Sequence, residues 1–247
     1  MRYLFEIAYK GTHYHGWQRQ KNATTVQEVV EETLSTLLRE PTAIVASGRT
    51  DTGVHCVQQF FHIETDKEVS TDLIYAINNF LPADIAIRNI ESIKDDGHAR
   101  FSALNRKYEY RIHTEKDPFQ EKLSYYYHRP LNIKTMNEAA ALLLGRKDFE
   151  SFSRVKTEVN NFFCDITEAY WEINNVHLIF HIRANRFLRG MVRAIVGTLL
   201  QVGLGKIAVE QTEIIISAKN RKKAGAAAPA HGLFLTEVCY PSEIFNH

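Results

Sequence analysis

Tyr3, Phe5, Ile7 and Tyr9 alternate with Leu4, Glu6 and Ala8, the period-2 pattern of a β-strand. The next ten residues, Gly11 to Gln20, carry aromatic and hydrogen-bonding side chains but no hydrophobic period, which predicts a loop able to cover a ligand. Thr25-x-x-Glu28 has capping-box form, and Val26, Val29, Val30, Leu34, Leu37 and Leu38 follow at helical spacing. Ala43 to Ala46 is an apolar run of strand length, and Val57 to Ile63 reads as a further strand. Leu73, Ile74, Ile77, Phe80 and Leu81 define one face of a second helix that Pro82 stops, and Ile85 to Ile93 make another strand. The order is β-α-β-β-α-β, that of a ferredoxin-like unit.

A comparable order follows. In Arg106 to His113, period 2 sets Arg106, Tyr108, Tyr110 and Ile112 on one side and Lys107, Glu109, Arg111 and His113 on the other. Such a tyrosine pair is either core or a platform on which a base can stack. Leu123 to His128 is a short aromatic strand. Thr135-x-x-Glu138 opens a third helix that Gly145 ends, and residues 148 to 161 make a long exposed loop. Phe162 to Ile173 and His177 to Ala184 form a hairpin joined at Asn174-Asn175. Leu188, Met191, Val192, Ile195, Val196, Leu199 and Leu200 define a long helix with Arg186, Arg189 and Arg193 along its edge. Gly203-Leu204-Gly205-Lys206 lacks phosphate-loop spacing and follows a helix, so it marks helix termination. Glu210 to Ala218 is a further helix, Arg221 to Ala230 a basic segment expected to be mobile until something binds, and Leu233 to Tyr240 a closing strand. The fold class is therefore α+β, in two α/β halves, 1–102 and 103–247, without a sequence repeat.

Composition narrows the function. A chain of 247 residues, 45% hydrophobic and 24% charged, has the make-up of an ordinary soluble protein, and no window approaches the ~18 apolar residues of a membrane span. Glu6 interrupts the place where a signal peptide has its apolar region, so a cytoplasmic location is expected. Cys56, Cys164 and Cys239 are far apart and lack metal-ligand spacing. The net charge of +1 makes no argument for a polyanion, but it is unevenly spread: residues 1–102 hold 10 Lys+Arg against 14 Asp+Glu, and the remainder 20 against 15. No acid lies between Glu172 and Glu210, whereas Arg183, Arg186, Arg189, Arg193 and Lys206 do. This stretch is either a solvated basic face or a surface that meets phosphates.

The chemistry concentrates in Ser47-Gly48-Arg49-Thr50-Asp51-Thr52-Gly53-Val54-His55. Two glycines bracket an acid, with a cation two residues before it, between two strand-forming runs. A carboxylate beside Arg49 stays ionised at neutral pH, which suits a nucleophile or a base; the same pattern fits a plain hairpin with a solvated Asp51 and Arg49. A metal held by Asp51, His55 and His62 would make a hydrolase, but no carboxylate cluster accompanies them, and His13 and His15 lack a third ligand.

That nine-residue motif closely resembles the catalytic motif of the tRNA pseudouridine synthase A family. Gly16-Trp17-Gln18-Arg19-Gln20, Asn79-Phe80-Leu81-Pro82, His98-Ala99-Arg100-Phe101-Ser102-Ala103, Arg106-Lys107-Tyr108-Glu109-Tyr110, Phe187 with Met191-Val192-Arg193, and Gly232-Leu233-Phe234-Leu235 fit the family in order, over nearly the whole chain. One departure is the bulky, basic Arg186-Phe187-Leu188-Arg189-Gly190 segment. The resemblance implies a pseudouridine synthase fold, two ferredoxin-like halves sharing a mostly antiparallel sheet flanked by helices. It implies an isomerase that converts uridine to pseudouridine at positions 38, 39 and 40 of the tRNA anticodon arm, as a homodimer, without cofactor, metal or membrane. Asp51 matches the nucleophile, Arg49 the arginine paired with it, Tyr108 the tyrosine that stacks on the target uracil, Leu233 the apolar residue under the base, and Arg193 a basic residue near the aspartate. Arg186 and Arg189 fall in the cationic stretch that would meet phosphates. The main alternative is a non-catalytic RNA-binding protein using the same basic surface and tyrosines.

Overall fold

The computed structural model describes residues 1–154, 159–174 and 177–246. It is an α+β structure whose strands are mostly antiparallel and flanked by helices, and its chain divides into two compact units, Met1–Asn105 with Leu235–His247, and Arg106–Phe234.

The first unit runs β1 (Arg2–Tyr9), α1 (Val26–Leu38), β2 (Val45–Ala46), β3 (His55–Glu64), α2 (Leu73–Phe80) and β4 (Ile85–Ile93). Its strands lie in the order β4-β1-β3-β2, every pair antiparallel, which is the ferredoxin-like arrangement. Register puts Phe5 opposite Phe61 and Ile7 opposite Gln59, and the two phenylalanine rings stack at 5.0 Å. Val26, Val30, Leu34 and Leu38 of α1 are buried, and the Thr25 side chain accepts the Glu28 N–H, as the capping box predicts. The apolar face expected of α2 is only partly buried: Ile77 is covered but Phe80 is 60% exposed. The residue before Pro82 is pushed out of helical space, so Leu81 turns extended and buries itself beyond the helix, leaving two turns that are too short to bury a full stripe. Asn78 fastens these turns to β4, donating to the Ile87 carbonyl and accepting its N–H, both at 2.8 Å.

The second unit contains β5 (Asn105–His113), β6 (Tyr125–Tyr126), α3 (Ile133–Ala141), β7 (Gly145–Asp148), β8 (Phe163–Asn174), β9 (His177–Ala184), α4 (Met191–Gly203) and α5 (Gln211–Ser217). The strand order is β5-β9-β8-β7, with β6 parallel on β5. Tyr110, Phe180 and Trp171 face one another across the pairings and form the core.

Several expectations change here. The third helix starts earlier than the Thr135 box, because Asn132 already offers a side-chain oxygen to the Thr135 N–H. Residues 148–153 are not an exposed loop: Phe149 and Phe152 are fully buried around a short 3₁₀ turn, while 155–158 and Asn175 of the hairpin lie outside the described residues. The long helix begins only at Met191, after Gly190 at φ 70°, so Arg186 and Arg189 precede it and only Arg193 lies on it. Leu188 is buried from the preceding loop, which makes the helical pattern look longer than the helix. The segment from Arg221 is tied down rather than loose. Gly225 N–H donates to Thr198 Oγ1 at 2.8 Å, and the Ala226 carbonyl passes so close to α4 that a Cβ on Gly197 would lie 1.7 Å from it. The closing strand, β10 (Leu233–Cys239), starts in this unit; from Leu235 it belongs to the first, where it neighbours β3. Beyond it Ile244 packs with Leu4, Ile93 and Ala99.

Candidate active site

The nine-residue motif is the connection between β2 and β3. Ser47 is buried at its entrance, its N–H donating to the Phe60 carbonyl at 2.7 Å and its hydroxyl accepting the Phe60 N–H at 3.4 Å. Gly53, at φ 77°, lets the chain turn so that Val54 N–H returns to the Asp51 carbonyl at 3.1 Å. The side chain of Asp51 is half-buried and that of Arg49 exposed.

This loop is held from outside by residues 11–17. Trp17 N–H donates to the Thr50 carbonyl at 3.2 Å, Gly53 N–H to the Tyr14 carbonyl at 3.3 Å, and Gly11 N–H to Nδ1 of the buried His55 at 3.1 Å. Gly16, at φ 88°, allows the approach: a Cβ there would stand 2.5 Å from the Thr50 carbonyl oxygen and 3.1 Å from the carbonyl carbon of Asp51. The aromatic loop therefore acts first as a brace, with Trp17 buried against Tyr9 and Phe61, and Tyr14 donating its hydroxyl to Asp84 at 2.6 Å. Burial, the Asp84 hydrogen bond and its charge together push the Tyr14 phenol well above its usual range.

Beneath the loop lies a buried polar chain that the sequence pattern did not single out. Gln59 donates to the Gly48 carbonyl at 3.2 Å and accepts the Tyr9 hydroxyl at 3.2 Å, and Tyr9 meets Thr50 Oγ1 at 2.8 Å. Gln59 is fully buried, so these bonds satisfy a polar side chain that would otherwise be costly to desolvate. The available signal was a glutamine on the inward side of an apolar strand.

His55 and His62 are occupied by the fold. Nδ1 of His55 accepts from Gly11, and Nδ1 of the buried His62 accepts the Ala99 N–H at 3.1 Å. Burial, with the nearby Arg2 charge, lowers the His62 pKa to about 4. Among the described residues no group of three His, Cys, Asp or Glu is placed to hold a metal ion.

The remaining candidates belong to the second unit. Of the two tyrosines on β5, Tyr110 is core: it is fully buried, its hydroxyl donates to the Pro229 carbonyl at 2.8 Å, and desolvation raises its pKa. Tyr108 is half-buried and meets the ring of Phe187 edge to face at 5.1 Å. Arg193 donates from Nε to the Ala228 carbonyl at 2.7 Å while its own carbonyl accepts the Ala228 N–H at 2.9 Å. Arg193 and Tyr110 thus anchor the segment 228–232 that delivers Leu233, which is buried at the first position of β10. Arg186 is half-buried and Arg189 exposed, both in the loop before α4.

Residues of both units fall within the match to a known family. A family model described as tRNA pseudouridine synthase matches residues 7–102 and 139–241, and the chain belongs to that family. Among its relatives, the tRNA pseudouridine synthase A of Porphyromonas gingivalis is 46% identical over 250 residues, covering 99% of each chain. That of Bacteroides fragilis is 45% identical over 248 residues, covering 99% of this chain and 98% of its own, and that of Bacillus subtilis 40% identical over 245 residues, covering 97% and 99%.

Proposed function

We propose that this chain isomerises uridine to pseudouridine in tRNA, at positions 38, 39 and 40 of the anticodon arm, with Asp51 as its nucleophile. The observation that carries the reading is the Asp51 loop itself: a half-buried carboxylate on a loop pinned by residues 11–17 at the Thr50 and Gly53 backbone and at the His55 ring. Chemistry that needs one carboxylate at one place is served by such a mount. No helix among the described residues is long and apolar enough to cross a membrane, in keeping with work on tRNA in the cytoplasm.

The reaction breaks the N1–C1′ bond, turns the uracil and joins C5 to C1′. In one route the Asp51 carboxylate attacks C1′ and the bonding pair leaves with N1; C5 then displaces the carboxylate, C5 loses its proton and N1 gains one. In the other, Asp51 removes the C2′ proton as the uracil leaves with the N1–C1′ bonding pair, giving a glycal; C5 then bonds C1′ as Asp51 returns the proton to C2′, C5 loses its own proton and N1 gains one. Arg49 pairs with the carboxylate and orients it. The base has to leave its stack first; Tyr108 stacks on it and Leu233 packs beneath it, so the detached uracil is retained. Arg193 contributes positive charge near the aspartate, and Arg186 and Arg189 meet phosphates. The working form is a homodimer, and the reaction draws on no cofactor or metal.

The test is to map pseudouridine on unmodified bulk tRNA after incubation with pure protein. Wild type is expected to modify positions 38–40. Asp51→Ala is expected to make no pseudouridine while still binding tRNA. Wild-type turnover by Asp51→Ala would overturn the nucleophile, and wild-type binding without any pseudouridine would leave a non-catalytic RNA-binding protein.

A further inference from the structure

The segment His98-Ala99-Arg100-Phe101-Ser102-Ala103 takes no part in the mechanism above, yet it builds an unusual object in the first unit. Phe101 is 76% exposed on a loop closed by several internal hydrogen bonds. Nδ1 of His98 accepts the N–H groups of Arg100 and Phe101 at 3.0 and 3.3 Å. The His98 N–H donates to Ser102 Oγ at 3.0 Å, and its carbonyl accepts the Ser102 N–H at 2.9 Å. Ala99 is fully buried between the Nδ1 of His62, which receives its N–H, and the Tyr240 hydroxyl, which donates to its carbonyl. The backbone of the loop is thus fastened at its root.

Two neighbours give the ring a chemical character. The His98 imidazole backs it at 4.4 Å with its planes 40° apart, and itself rests edge-on against buried His62 at 4.9 Å. The Arg100 guanidinium lies 5.6 Å from the ring centroid. An imidazole and a guanidinium are thus both placed against this exposed apolar ring. That combination attracts a flat, electron-rich, negatively linked group.

We propose that His98, Arg100 and Phe101 form a stacking platform for an unpaired nucleobase of the RNA substrate, a binding site additional to the one that holds the target uridine. Phe101 supplies the face, His98 holds the ring in place from behind, and Arg100 supplies the charge for the adjoining phosphate. Burial and the charges of Arg2 and Arg100 lower the His98 pKa, so at neutral pH the ring behind Phe101 remains the acceptor its two hydrogen bonds require. The proposal rests on the reading that this chain takes tRNA.

The experiment measures equilibrium binding of the full chain to an unmodified tRNA transcript and to a blunt RNA duplex, with the molar mass checked by light scattering. Loss of one stacked base weakens tRNA binding about tenfold, so Phe101→Ala is expected to show that loss and Phe101→Trp to recover most of it. Binding to the duplex, which offers no unpaired base, is expected to stay unchanged in both. Wild-type tRNA affinity in Phe101→Ala, no recovery with Trp, or an equal loss on the duplex would each overturn the platform. A change in molar mass would assign the ring to a second copy of the chain instead. Pseudouridine formation by wild type, scored in parallel, separates failure of this proposal from failure of the functional reading.

Discussion

Gly16→Ala puts the clamp on the Asp51 loop to a direct test. The added Cβ would stand 2.5 Å from the Thr50 carbonyl oxygen, where ordinary contact begins at 3.4 Å, so one side has to retreat by about 0.9 Å. Residue 16 also sits at φ 88°, and a side chain there costs roughly 1–2 kcal/mol. The Thr50 carbonyl belongs to the peptide that carries Asp51, and it accepts the Trp17 N–H, so its retreat moves Asp51 and loosens the brace together. A displacement of about 1 Å at a reacting group lowers turnover on the order of 100-fold. Single-turnover pseudouridine formation with saturating enzyme reads that loss, and thermal unfolding reads the stability cost separately. If Gly16→Ala unfolds a few degrees earlier yet forms pseudouridine within twofold of the wild-type rate, the 11–17 segment supports the fold and does not position Asp51.

Gln59→Leu fills the same space but leaves the Tyr9 hydroxyl and the Gly48 carbonyl without this partner, and about 1–3 kcal/mol of stability should be lost in a denaturant titration; an unchanged midpoint would show that the polar chain is dispensable. His62 predicts a pH dependence. Its folded pKa of about 4 lies below the 6.5 of the free side chain, so the unfolded chain takes up the proton first. Stability from this group is therefore complete above pH 6.5 and falls as the pH drops toward 4, by on the order of 2–3 kcal/mol. Denaturant midpoints at pH 7 and pH 5 should converge in His62→Asn relative to wild type, and an equal fall in both proteins would refute the assignment.

The alternation in β1, the Thr25 box and the Pro82 stop were legible because each is a local rule carried by a few adjacent residues. The ferredoxin-like order followed from counting such segments. Less legible were features decided by distant partners. Nothing near Phe149 and Phe152 marks a polar-looking stretch as core, since their neighbours arrive from other parts of the second unit. The basic Arg221 segment has a loop's composition, and only Gly197 on α4 shows that another backbone passes there. At the site, the acid-bearing turn stood out from its glycines, whereas its supports, Gln59, Tyr9 and Gly16, become visible only when three separate stretches meet. Tyr108 and Tyr110 have the same residue type and the same side of one strand; their different burial depends on Pro229 and Gly232, more than a hundred residues away.

The first unit is discontinuous in the chain. Its opening 105 residues are made well before Leu235, the point at which β10 enters this unit beside β3. At translation rates of 5–20 residues per second, the intervening stretch of about 130 residues keeps that edge of β3 without its neighbour for on the order of ten seconds. An open strand edge is where one chain can pair wrongly with another. The strand that leads directly out of the Asp51 loop is therefore among the last to be enclosed on the ribosome, and the short β2, which occupies His62 and Phe61 on β3, is the native shield for part of it during that wait.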